Sequence, residues 1–156
     1  MATVFRICKT KYAGSAFDGE GAFRFGGRWN SRGTRIVYTA ESLSLAVLEM
    51  LVHFQDESIL SAYSFIEVNV EENLIKSVEN IAKLPKKWRI SPPPFEVQKI
   101  GDDWAKKNSS AVLRVPSSII PSESNFLINP NHRDFARITF GKLQNFTFDE
   151  RLLKKK

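Results

Sequence analysis

The sequence predicts an α+β domain. Three observations carry this. Segments with strand character outnumber helix-length ones, and the helical segments fall between strands without strict βαβ alternation. At 156 residues, with no internal repeat and no low-complexity linker, the chain has the length of one domain. One domain is therefore expected over residues 1–156, ending in a basic tail at 151–156.

Each element follows from its local pattern. "TVFRICK" alternates apolar and polar residues, as a half-buried strand does. Residues 12–34 hold six of the eight glycines and read as one long loop. "TRIVYTA" is β-branched and aromatic, hence a strand. In "ESLSLAVLEMLVHF", Leu43, Ala46, Val47, Met50, Leu51 and Phe54 recur at helical spacing, with Glu41 and Ser42 suited to a first turn. "SAYSFIEVNV" returns to strand, and "LIKSVENIAKLPKKW" reads as a short helix stopped by Pro85. "SPPPFEVQKIGDDWAKKN" places Pro94 at the start of a helix, where its missing N–H costs nothing. "SAVLRVPS", "NFLINP", "ARITFGKL" and "NFTFDERLL" are four short strand candidates separated by Pro, Asn and Gly.

Composition narrows the function classes. A hydrophobic content of 42% with 26% charged residues is that of an ordinary globular domain. The single cysteine, Cys8, cannot form an internal disulfide, which fits a reducing, cytoplasmic setting. No apolar run reaches the roughly 18 residues of a membrane span, and "MATVFRICKT" lacks the apolar centre of a signal peptide. The net charge of +6 suits an anionic substrate or partner. The cationic residues are dispersed, so a nucleic-acid-binding module is the weaker reading. His53 and His132 lack Cys or His partners at ligand spacing, so no metal is expected. There is no P-loop and no G-x-S-x-G elbow, and "GEGAFRFGG" is not followed directly by a helix.

What remains is a scattered polar set. Arg28 follows two glycines, Tyr38 lies in a strand, and Glu49 sits inside an apolar helical stripe. Ser117 follows Pro116, and Asn125 and Asn129 flank "FLI". Two readings stay open at this level. Arg28 and Glu49 form a buried ion pair among turn-forming residues, or they belong to a site that handles an anion.

The segments "GGRWNSRGTRIVYTAESLSLAVLE", "LRVPSS" and "NFLINPNH", in this order, resemble the RES domain family, from about Phe5 to Phe140. That family is named for an Arg, a Glu and a Ser, and its members are toxins paired with Xre-type, helix-turn-helix DNA-binding antitoxins. The resemblance assigns the Arg to Arg28, the Glu to Glu49 and the Ser to Ser117, with Ser118 as the alternative. A family tyrosine falls on Tyr38 and an asparagine on Asn125, while Arg32 stands where the family often has proline. It implies a fold similar to ADP-ribosyltransferases, with two antiparallel sheets forming a cleft between flanking helices. It also implies NAD as substrate, cleaved at the nicotinamide–ribose bond to deplete it, with no metal. Glu49, Arg28 and Ser117 would be catalytic, and Arg28, Tyr38, Ser117 and Asn125 would bind NAD. Val47, two positions before Glu49, is apolar where arginine-modifying transferases carry an acid or amide. That favours water or phosphate as the acceptor, with ADP-ribosylation of a host metabolic protein as the alternative. DNA would be met only through the antitoxin.

Overall fold

The computed structural model describes residues 1–54 and 61–153, so Lys154–Lys156 of the basic tail lie outside the described residues. Eight strands form one sheet: β1 (Ala2–Lys9), β2 (Val37–Ala40), β3 (Tyr63–Val70), β4 (Ile75–Ser77), β5 (Val112–Pro116), β6 (Ser124–Ile128), β7 (Thr139–Phe140) and β8 (Gln144–Phe146). Among the described residues three α-helices accompany them: α1 (Glu20–Phe25), α2 (Leu43–Leu51) and α3 (Phe95–Lys107).

The hydrogen bonding runs β4-β5-β6-β2-β1-β3-β7, with β8 also paired to β3. This corrects the expectation of two antiparallel sheets: the strands are linked into a single sheet, and β4 pairs with β5 in parallel. A trace of two halves survives at the centre. β1 and β3 pair along eight residues, whereas β1 and β2 share one register pair, Phe5 opposite Ala40. Beyond that point β1 and β2 diverge. Arg6 fills the gap, donating from Nη1 to Tyr38 O at 2.9 Å and from Nε to Ala16 O at 2.6 Å.

Alternation along the strands sorts the core into layers. Val4, Cys8, Ile66, Val68, Val37, Phe126 and Ile128 share one face. On the other face two clusters lie side by side. α2 covers Ile7, Ala40 and Tyr63 with Leu45 and Ala46, and Phe148 closes that cluster from behind. α3 covers Leu113, Val115 and Leu127 with Val97 and Trp104, together with Trp29 from the glycine-rich loop. Full burial of a side chain such as Leu45 stabilises the fold by about 1.5–3 kcal/mol.

Both long helices form where expected, although α2 stops at Leu51, short of Phe54. Ser42 caps α2, its side chain accepting from Leu45 N at 3.0 Å. Pro94 occupies the N-cap of α3, and Asn108 ends it in the left-handed conformation at φ 51°. Two expectations fail. Residues 12–34 are not one loop: they contain a 3-10 turn at Thr10–Ser15 and the helix α1. "LIKSVENIAKLPKKW" is not a helix, but β4 flanked by short 3-10 turns and then a run of turns.

Candidate functional site

Glu49 lies one helical turn beyond Leu45 and Ala46, so the stripe that seats α2 on the sheet also turns Glu49 inward. There it meets Ser117, which leaves β5 immediately after Pro116. The Ser117 hydroxyl donates to Glu49 Oε1 at 2.7 Å. Ser117 Oγ in turn accepts from Ile119 N and Ile120 N, both at 3.1 Å. Ser117 is fully buried, and its own N–H is held by Glu123 O at 2.9 Å. One hydrogen donated and two accepted saturate a hydroxyl. Ser117 therefore orients Glu49 and has no hydrogen left to offer a ribose or an amide. Ser118 enters through its backbone carbonyl, which accepts from Arg89 Nε at 2.9 Å.

Arg28 is set on the opposite bank by α3. Gln98 Nε2 donates to Gly27 O at 3.0 Å, and Asp102 accepts from Ser31 N at 3.0 Å and from Ser31 Oγ at 2.6 Å. Between these two residues, a Cβ on Gly101 would come within 1.7 Å of Trp29 O. Only glycine lets helix and loop approach so closely. Inside the loop, fully buried Asn30 donates to Ala22 O and Ser31 O, both at 2.9 Å, and to Thr34 O at 3.2 Å. Asn30 Oδ1 accepts from Tyr38 OH at 2.6 Å, and that hydroxyl accepts from Trp29 N at 3.0 Å. A Cβ on Gly27 would lie 2.6 Å from the same hydroxyl. The phenol of Tyr38 thus braces the loop, and its ring packs against the cluster that α3 covers. Burial pushes its pKa well above the ordinary phenol value, only partly opposed by the Trp29 N–H.

Arg28 directs Nη1 to two carbonyls, Trp88 O and Ile90 O, both at 2.9 Å. Both hydrogens of Nη1 are engaged, and among the described residues Nε and Nη2 have no hydrogen-bond partner. Burial lowers the Arg28 pKa, with the charges of Glu49 and Tyr38 opposing that shift. Glu49 is thus near enough to be felt. Among the described residues, however, no ion pair joins it to Arg28, so the buried-pair reading does not hold. Nearby Arg24 and Arg35 are partly neutralised, since both reach Glu20, each at 2.7 Å.

Register places Asn125 between the banks. It stands opposite Ala40 on β2 and Val115 on β5, in the row next to Tyr38, Leu127 and Leu113. Its side-chain amide donates to Thr39 O at 3.3 Å. Asn129 lies elsewhere and is structural, with Nδ2 bonded to Ala105 O and Asn108 Oδ1. Neither histidine belongs to the site. His53 is exposed past the end of α2, and His132 accepts from Asp134 N at 3.0 Å. Among the described residues no group of three or more His, Cys, Asp or Glu is placed to hold a metal. Nor does any described helix have the length and apolarity to cross a membrane.

Sequence reasoning missed the supports of the site: Asn30, Gln98, Asp102, Arg6 and Arg89. A signal existed for three of them. Gln98 and Asp102 are spaced four apart around Gly101 on an amphipathic helix. Arg6 interrupts an inward row between Val4 and Cys8.

Known proteins resemble this chain over nearly its whole length. The RES domain model matches residues 3–149. A "Toxin Res" from Yersinia enterocolitica is 39% identical over 150 residues, spanning 96% of this chain and 98% of its own. A "Toxin Res" from Photorhabdus laumondii is 39% identical over 154 residues, 98% of each. A "Prs ADP-ribosylating toxin" from a Sphingobium species is 36% identical over 146 residues, 92% of this chain and 91% of its own. Among solved structures, the M. tuberculosis MbcT-MbcA toxin-antitoxin complex contains a chain with TM-score 0.73 and 17% identity. That match covers 94% of this chain and 84% of the other, a likeness of fold.

Proposed function

The chain belongs to the RES domain family, and from that premise we propose that it is the toxin of a type II toxin–antitoxin pair that cleaves NAD at the nicotinamide–ribose bond. The observation that carries this reading is the hydrogen bond from Ser117 to Glu49, which holds a carboxylate fixed beside a cationic loop.

The chemistry follows from charge. Breaking the C–N bond sends its electron pair to the ring nitrogen, so nicotinamide departs neutral and needs no acid. Positive charge is left on the ribose, in an oxocarbenium-like species. A preplaced carboxylate stabilises that charge as it develops, because the helix and Ser117 have already oriented it. The free Nε–Nη2 edge of Arg28 suits the diphosphate in a bidentate manner. Tyr38 offers a ring face to nicotinamide, and Asn125 offers an amide from the floor between the banks. The incoming oxygen then bonds to the ribose carbon and loses its proton to solvent.

Val47 sits half-buried two residues before Glu49 and cannot orient a guanidinium. Water or phosphate is accordingly the acceptor we favour, and the outcome is NAD depletion and growth arrest in the cytoplasm. The printed name of the Sphingobium relative supports a second reading, ADP-ribosylation of a metabolic protein. In either case the chain is a single RES-type toxin domain that acts beside an antitoxin, here of the Xre helix-turn-helix type. A carboxylate of that partner, placed at Arg28, would block the site, and DNA would be bound through the partner alone.

The test is to incubate the purified chain with NAD, with and without phosphate, and to identify the products by mass. Nicotinamide with ADP-ribose means hydrolysis, and ADP-ribose 1″-phosphate means phosphorolysis. Label transferred to a co-incubated protein supports the second reading, and absence of nicotinamide release overturns both.

A further inference from the structure

Arg28 and Glu49 do not touch, yet their separation decides whether one substrate can engage both. The structure holds a continuous tie between them. Arg28 Nη1 donates to Trp88 O and Ile90 O, the carbonyls on either side of Arg89. Arg89 donates from Nε to Ser118 O at 2.9 Å. The neighbouring Ser117 donates to Glu49. The segment Pro85–Pro94, a run of turns leading into α3, is thus fastened to both banks. Arg89 is exposed and, among the described residues, forms no ion pair.

The geometry points to Arg89 as a positioning residue that clamps the Pro85–Pro94 strap to the Ser117 turn and so sets the spacing of Arg28 from Glu49. Its working part is the Nε–H, not its charge. The acceptor is a neutral carbonyl, and the strap it anchors holds Arg28 through carbonyls as well. A small misplacement of a binding group costs much of its contribution to the reaction, so a single exposed donor can matter out of proportion to its burial.

Side-chain length makes the idea testable. Gln Nε2 stands the same number of bonds from the backbone as Arg Nε, so Arg89→Gln keeps a donor in place and removes the charge. Arg89→Lys keeps the charge and moves the only donor one bond further out. Arg89→Ala removes both. The kinetic arm rests on the NAD-cleaving reading; amide hydrogen exchange does not. In exchange, Arg89→Ala should speed the amides of Trp88, Ile90, Ser117, Ile119 and Ile120 about tenfold, without changing the melting temperature. Arg89→Gln should restore slow exchange, and Arg89→Lys should not. In kinetics, Arg89→Ala should lower kcat/KM for NAD about tenfold, with Gln restoring most of it and Lys little. Activity kept by Lys and lost in Gln would mean that the cation contacts the substrate, and the positioning role falls. Unchanged exchange in Arg89→Ala also overturns it. A parent chain that releases no nicotinamide overturns the NAD reading, while the exchange pattern still decides the role of Arg89.

Discussion

The Ser117 hydroxyl gives its only hydrogen to Glu49 Oε1, 2.7 Å away, while two backbone N–H groups hold its lone pairs. The turn that follows Pro116 is therefore arranged to aim one proton at one carboxylate oxygen. A carboxylate that accepts such a bond keeps its rotamer. Ser117→Ala should leave the amides of Ile119 and Ile120 without their partner, destabilising the protein by roughly 1–3 kcal/mol. NAD turnover should fall more than NAD affinity, because the orientation of Glu49 matters most as charge develops. Ser118→Ala, which keeps the carbonyl used by Arg89, should retain nearly full turnover. Parallel assays of the two variants check this, and equal losses would count against the asymmetry.

Glu49→Gln keeps size and the helix while removing the charge. Its expected effect is a loss of about 10²–10³ in the rate of nicotinamide release. Circular dichroism should be unchanged, since Glu49 is only half-buried and the Gln amide oxygen still accepts from Ser117. Near-normal turnover by the folded variant would sink the assignment.

Arg28 separates binding from stability. As it forms no ion pair with Glu49, Arg28→Ala strands no buried carboxylate, and the melting temperature should shift only modestly. Affinity for NAD should weaken by about 10–100-fold, the range of a lost charge-assisted contact. Arg28→Lys should recover part of that and not all, because a lysine has no fork. Calorimetric titration with NAD, alongside a thermal melt, reads both quantities.

Tyr38 predicts an alkaline effect. Its folded-state pKa is raised, so above the ordinary phenol value the folded protein binds more protons than the unfolded chain. The stability contributed by its neutral hydroxyl is fully present below about pH 10 and is lost as pH rises from there. Tyr38→Phe removes the bonds to Asn30 and Trp29 at any pH and should melt lower near neutrality. The gap between parent and variant should narrow as pH climbs through the alkaline range. Melts across that range check it, and a constant gap would show that ionisation of Tyr38 is not coupled to folding.

Much of the fold was legible because β1, β3, α2 and α3 carry their periodicity in contiguous residues. α1 was hidden because its six residues lie among glycines, too few to show a helical period. The segment after Leu74 misled for the opposite reason: successive 3-10 turns space Leu74, Val78 and Ile81 much as a helix would. The parallel pairing of β4 with β5 depends on residues far apart in sequence, and no local pattern announces it. In the site, the positions of Arg28, Glu49 and Ser117 came through family likeness. What they touch did not, because Trp88 O, Ile90 O and the amides after Ser117 are backbone groups that every residue possesses. The role of Asn30 was unreadable for the same cause, since its partners are mostly carbonyls of its own loop.

The join of the two half-sheets at Phe5 and Ala40 has a bearing on wear rather than on design. Glu49 travels with the half that α2 covers, and Arg28, with its loop, travels with the half under α3. A crack opening along that line on gentle heating would part the reacting groups while each half kept its own strands and cluster. Heat inactivation should thus run ahead of the loss of ellipticity. Ageing preparations would accumulate protein that looks folded in the spectrometer and has already gone silent.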